Sequence, residues 1–143
     1  MLKNKPNALC RIAVLMLTLA LSACEFSTAS LGTLSASKQK GGPATVVFGD
    51  ADQVFFHAET KGVSDGAKVK WRLYASKVEG IPANKQLNET ELNMASGTSS
   101  VEYSLVTPEK GWPPGAYKVE ATLFLEGGKQ QEQKSLDIQI GES

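Results

Sequence analysis

Cysteine is almost missing from this chain. Its two copies, Cys10 and Cys24, both lie near the N-terminus. Everything after Cys24 lacks a thiol, which excludes a disulfide framework, a thiolate metal cluster and a cysteine nucleophile there. Histidine is scarcer still, with His57 the only one. Metal centres draw on several His, Cys or carboxylate ligands together, and a catalytic site needs positioned partner groups. His57 has only Phe55 and its strand beside it, and it reads as a surface residue on an outer strand face. No sign of charge dominates, with 15 basic and 15 acidic residues. That balance argues against nucleic acid or an anionic membrane surface as a partner. No apolar run spans a bilayer, which takes about 20 residues as a helix. The run from Ile12 to Leu21 is half that, and helical periodicity is absent downstream of it.

The N-terminus begins with Lys3, Lys5 and Arg11, followed at once by the Ile12–Leu21 run. A positive segment ahead of about 7–15 apolar residues is the layout of a secretory signal. The run closes in Leu21-Ser22-Ala23-Cys24, which resembles the lipobox of bacterial lipoproteins. The resemblance implies that residues 1–23 are a signal peptide. It also implies that Cys24 takes a diacylglyceryl group and that the new amino terminus is acylated, commonly with palmitate. Several acyl chains hold a protein at a membrane where one holds it marginally. Glu25, rather than Asp, follows the cysteine, and by the same resemblance this favours the outer membrane. Loss of Lys3, Lys5 and Arg11 leaves 12 bases against the 15 acids, a mildly negative mature chain.

Residues 24–44 are rich in Ser, Thr, Ala and Gly and end in Lys38-Gln39-Lys40-Gly41-Gly42-Pro43. With little to bury, they read as a flexible linker, averaging roughly 25 Å end to end by random-coil scaling. Residues 45–143 suffice for one domain with a core.

Within that domain nearly every segment alternates with period two, the mark of strands on half-buried sheets. Thr45 to Phe48 is a short first strand. Val54, Phe56 and Ala58 share a face, as do Val69, Trp71 and Leu73, and then Val101, Tyr103 and Leu105. Tyr117, Val119, Ala121, Leu123 and Leu125 form the longest apolar row, and Leu136, Ile138 and Ile140 the last. Leu87 to Ala95 is ambiguous between an edge strand and an irregular crossing. Gly127-Gly128 stands where a two-residue hairpin turn wants positive φ at both positions. About seven short strands separated by turns predict an all-β, immunoglobulin-like antiparallel β-sandwich, with a small barrel as the alternative.

The stretch Gly111-Trp112-Pro113-Pro114-Gly115-Ala116-Tyr117-Lys118-Val119-Glu120, with Leu125 to Lys129 after it, resembles the penultimate hairpin of bacterial immunoglobulin-like domains. Lys68-Val69-Lys70-Trp71 is similar to their third strand. The resemblance implies a sandwich and no particular activity. Tyr117 stands where a tyrosine corner belongs, its hydroxyl bonding nearby backbone. Val119 occupies the place of the second cysteine of antibody domains, so an apolar contact with Trp71 is expected in place of a disulfide.

Candidate contact residues follow from the strand faces. Lys68, Lys70, Arg72 and Tyr74 point outward from the third predicted strand. In a sandwich of this type Lys118, Glu120, Thr122 and Phe124 lie beside them. Charge on an outer strand face is ordinary, yet this mixed basic and aromatic surface is the best contact candidate. Trp112 either presents its ring to a ligand or lies back over the open end of the core, and capping is favoured because the flanking prolines fix the loop. Asp50 and Asp52 fall short of the six to eight or so oxygens that calcium takes. Glu89 and Glu91 sit in a polar stretch that shows no cleft of the glycosidase kind.

The expectation is a non-enzymatic, lipid-anchored module of the cell envelope, without metal or cofactor, that contacts an envelope protein. The alternative is a carbohydrate-binding module that uses Trp112 with Tyr74 or Phe55.

Overall fold

The apolar rows become the two inner faces of a sandwich. A computed structural model describes residues 28–141; the signal segment, the lipobox and Cys24 lie outside that range. Eight strands follow in order: β1 (Ser30–Ser37), β2 (Val47–Gly49), β3 (Val54–Lys61), β4 (Lys68–Val78), β5 (Lys85–Asn93), β6 (Ser100–Leu105), β7 (Gly115–Phe124) and β8 (Gln130–Gly141). They form a three-stranded sheet, β1-β3-β6, and a five-stranded sheet, β2-β8-β7-β4-β5. This is the immunoglobulin-like sandwich that the strand pattern predicts. All pairings are antiparallel except the short β2 on β8.

The core is the sum of the alternating rows. Val54, Phe56 and Ala58 are buried from one sheet, and Val69, Trp71, Leu73, Val119, Ala121 and Leu123 from the other. Trp71 stacks on Phe56 and Tyr103 across the sandwich, with ring centroids at 6.3 and 5.6 Å. Val119 faces Leu73 across the β4–β7 ladder, and Trp71 faces Ala121. The aromatic stack of Phe56, Trp71 and Tyr103 thus joins the two sheets across the core. The indole Nε1 of Trp71 is buried without a hydrogen-bond partner among the described residues.

Three expectations change. The linker expected over residues 24–44 is too long, because residues 30–37 form β1, an edge strand on β3 with Leu31 and Ala36 in the core. Its Ser, Gly and Ala side chains give little periodic signal, so its apolar contribution hides in two small anchor points. The ambiguous stretch is a strand, β5, paired with β4 along its length. Its polar composition is that of an edge that discourages further pairing. The Gly127-Gly128 turn does carry φ of 85° and 89°, but the loop is wider than two residues, since Leu125 N donates to Lys129 O.

Candidate functional site

The outer face of the five-stranded sheet brings six of the predicted contact residues together. Side chains that alternate with the core row on β4 are Lys68, Lys70, Arg72 and Tyr74. The β4–β7 register places Lys68 opposite Phe124, Arg72 opposite Glu120 and Tyr74 opposite Lys118. On the other flank β5 sets Glu91 opposite Lys70 and Glu89 opposite Arg72.

This register makes a ladder of opposite charges. Lys68 Nζ lies 3.2 Å from Glu91, and Lys70 Nζ lies 3.4 Å from Glu89 and 3.8 Å from Glu91. Arg72 reaches Glu89 at 3.3 Å on one side and Glu120 at 3.8 Å on the other. A hydrogen bond from Gln86 Nε2 at 2.9 Å, and then the cations of Arg72 and Lys70, hold the Glu89 carboxyl below the usual carboxylate range. The aromatic residues join through their faces. Lys70 Nζ sits 5.5 Å from the Phe124 ring centre and Lys118 Nζ 5.1 Å from that of Tyr74. Thr122, expected to face solvent, is only 1% exposed; it stands in register between Lys70 and Gln133.

The face is therefore close to neutral and internally paired. Lys68, Lys70 and Arg72 each already have a carboxylate, so this part of the face does not attract anions as a bare basic patch does. Exposed pairs of this kind contribute little to stability, because solvent screens them and ordering the side chains costs entropy. Glu89 and Glu91 are the residues that sequence reading underweighted. Their signal was the alternation of Glu89 and Glu91 with Thr90 and Leu92, in step with the bases on β4. At one end of the face a depression of about 400 Å³ opens among Lys68, Lys70, Glu91, Phe124, Gly127 and Gly128.

Trp112 does not join this face. The residue is 8% exposed, and its ring meets Tyr117 edge-on, 6.2 Å between centroids. Its Nε1 donates to the Asp52 carbonyl at 3.0 Å. The residue caps the core, and a sugar platform built on Trp112 is overturned by this burial. The loop is fixed further by the Trp112 N–H, which donates to Asp50 O at 2.8 Å.

Asp52 serves the same corner. Its carboxylate accepts from Gly49 N at 2.6 Å and pairs with Lys38 at 3.0 Å. These two contacts, the backbone hydrogen bond first, lower its pKa. His57 lies on the outer face of the smaller sheet, its Nδ1 3.9 Å from Glu102. Among the described residues no group of three His, Cys, Asp or Glu side chains is placed to hold a metal ion.

No family model matches the chain, and no curated protein matches it. Solved structures are similar to it only distantly. The CARDB domain of the PF1109 protein from Pyrococcus furiosus, solved with di-metal ions, is 15% identical over 80% of this chain and 96% of that one, with a TM-score of 0.43. A β-glucosidase from Listeria innocua in complex with glucose is 12% identical over 80% of this chain, with a TM-score of 0.43. The GH3 β-glucosidase of Bifidobacterium adolescentis is 12% identical over 79% of this chain, with a TM-score of 0.38. The chain spans 16% and 17% of these two enzymes.

Proposed function

We propose that this chain is a non-catalytic binding module of the bacterial envelope, anchored through lipid on Cys24, whose partner is another envelope protein. The observation that carries the reading is the outer face of β4 and β7. There cations and carboxylates alternate, and two aromatic rings, Tyr74 and Phe124, each lie beside a lysine. A flat surface of paired charges and half-exposed rings suits a protein contact. Charge pairs fix register and exclude wrong partners, while rings supply contact area at low entropy cost. The lipobox supports the anchor, and Glu25 supports the outer membrane. The buried Trp112 removes the main support for a carbohydrate ligand.

The test is a crosslinking pull-down from the native cells with the full lipoprotein as bait and Cys24→Ala as control. The reading requires a specific protein prey that is lost or reduced in the unanchored control. Background prey alone would sink it. Charge reversal at Lys70 and Arg72 together is expected to release a prey held by the β4 face, and retention of that prey would exclude the face as the contact.

A further inference from the structure

Among the described residues the sandwich has four edge strands, and they are not equally closed. The β1 edge is covered by side chains of β8. Glu132 Oε2 accepts from Leu31 N at 2.7 Å, and Lys134 Nζ donates to Gly32 O at 3.2 Å. The β2 edge is three residues long. The β5 edge carries Lys85, Glu89 and Glu91, and its register shifts at Leu73/Tyr74; charges and irregularities of this kind deter pairing. β6 has one charge, Glu102, and neither a cover nor a register shift. Among the described residues it pairs with β3 alone, and it holds one register from Glu59↔Ser100 to Val54↔Leu105.

The phase of that ladder says which backbone groups are spare. Thr60 N donates to Ser99 O at 2.9 Å, so Thr60 and Ser99 are a hydrogen-bonded pair. Such pairs alternate in an antiparallel ladder. Val101, Tyr103 and Leu105 therefore direct their N–H and C=O groups to β3, and Ser100, Glu102 and Ser104 direct theirs outward. Beside this edge, toward β5, runs a groove of about 350 Å³ lined by Leu73, Leu87, Tyr103, Val106, Pro108 and Trp112. Val106 is 87% exposed and Leu87 is 36% exposed. Tyr103 bridges the seam by donating to Asn88 Oδ1 at 2.5 Å. On the solvent side of the edge stands one carboxylate, Glu102, 40% exposed, with the exposed Lys40 Nζ at 3.4 Å as a surface counter-ion that a partner's cation would have to join or displace.

We infer that β6 is an acceptor edge for an extended segment of a partner protein, added as a strand. The segment would place an apolar residue over the groove at every second position and a lysine or arginine opposite Glu102. Main-chain bonds to Ser100, Glu102 and Ser104 give affinity, and the groove and Glu102 give selectivity. The inference rests on the reading of the chain as a protein-binding module and assigns that module a second surface.

The experiment uses the full acylated chain in detergent micelles and a synthetic peptide that alternates valine with threonine around one lysine. A scrambled peptide and a version with glutamate for the lysine are the controls. Amide hydrogen exchange is followed with and without peptide. The expected result is new protection at Ser100, Glu102 and Ser104. Val101, Tyr103 and Leu105, already bonded to β3, change little. Ser104→Pro removes one outward donor without touching the β3 ladder, as proline is tolerated at a solvent-facing edge. It is expected to keep the melting temperature and to weaken the lysine peptide about five- to tenfold. Glu102→Lys is expected to weaken the lysine peptide about two- to fivefold and to favour the glutamate version. Absence of alternate protection overturns the inference, as does equal affinity for the scrambled peptide or self-association of the chain through β6. A native prey that Ser104→Pro still captures, with no peptide protection, rejects the β6 edge and leaves the module reading standing. Loss of every specific prey from the wild-type bait rejects the module reading itself.

Discussion

The phenol of Tyr117 donates to the carbonyl of Pro113, four residues upstream, at 2.6 Å. This single bond closes the corner that leads into β7. The same ring supports the edge-on contact from Trp112, whose indole is tied to Asp52. The corner thus links the Pro-rich loop, the start of β3 and the central strand β7. Tyr117→Phe keeps the ring packing and deletes the bond. It is expected to lower unfolding free energy by about 0.5–1.5 kcal/mol, read from urea unfolding with an unchanged slope.

Gly115 opens β7 at φ 149°. A Cβ there would lie 2.3 Å from Lys77 O and 2.9 Å from the Val78 Cα. The β4–β7 register shifts between Ala75 and Lys77, bringing this backbone close. Neither atom is a flexible side-chain end, so Gly115→Ala must move one strand. Gly80 makes the control: its φ is 78°, but nothing lies within 4 Å of its added Cβ. Gly80→Ala is expected to cost about 1 kcal/mol of backbone strain, and Gly115→Ala more than about 2. Equal melting temperatures for the two variants would contradict the close-approach argument.

The corner and the core were legible because alternation and glycine placement are local. Trp71, Val119 and Tyr117 announce their inward face through their immediate neighbours. β1 was not legible, since Leu31 and Ala36 are too few, among serines and glycine, to show a period. Its strand state depends on the distant β3 ladder and on Glu132. The outer face was legible by half. The bases on β4 alternate visibly, but their neutralisation needs β5 in register, and its polar sequence competes well as a loop. Trp112 could be placed only by the Asp52 carbonyl that its indole reaches, a contact between residues 60 apart.

The charge ladder predicts weak pairwise coupling and strong sensitivity to reversal. A double-mutant cycle on Arg72→Ala and Glu89→Ala is expected to give a small favourable coupling that shrinks at high salt. Replacing Lys70 and Arg72 together by glutamate sets them beside Glu89, Glu91 and Glu120. That variant is expected to lose stability at low ionic strength and to recover part of it as salt rises. A salt-independent melting temperature for the double reversal would show that the ladder has no electrostatic weight.

Stability is expected to fall at both extremes of pH for different reasons. The Asp52 pKa is lowered in the folded chain by Gly49 N–H and Lys38. A lowered carboxylate stabilises above its unfolded pKa, and that contribution is lost as pH falls through the folded value. Asp52→Asn should therefore flatten the stability curve on the acid side of about pH 4. Burial pushes the Tyr103 phenol up to about 12. A raised phenol contributes fully below its unfolded value near 10 and loses that contribution as pH climbs toward the folded one. Tyr103→Phe should remove the late phenolate absorbance step and this part of the alkaline destabilisation.

Glu132 decides how firmly β1 is held. β1 has β3 on one side only, and on its other side the Leu31 N–H is satisfied by the Glu132 carboxylate. Glu132→Ala leaves that donor without its acceptor at a part-buried site, a local cost of about 1–3 kcal/mol. Glu132→Gln keeps an oxygen in reach and should cost less. The expected signature is faster amide exchange over residues 30–37 with β4 and β7 unchanged, because an edge strand can open without the central ladder. Under the proposed anchor, β1 is also the first described strand after Cys24, so a pull from the membrane reaches it before the other described strands. A Glu132→Ala chain should then show protease cleavage within residues 30–37 while the remainder stays folded. Cleavage spread evenly over the whole chain would mean that β1 opens only with global unfolding and that Glu132 is not its latch.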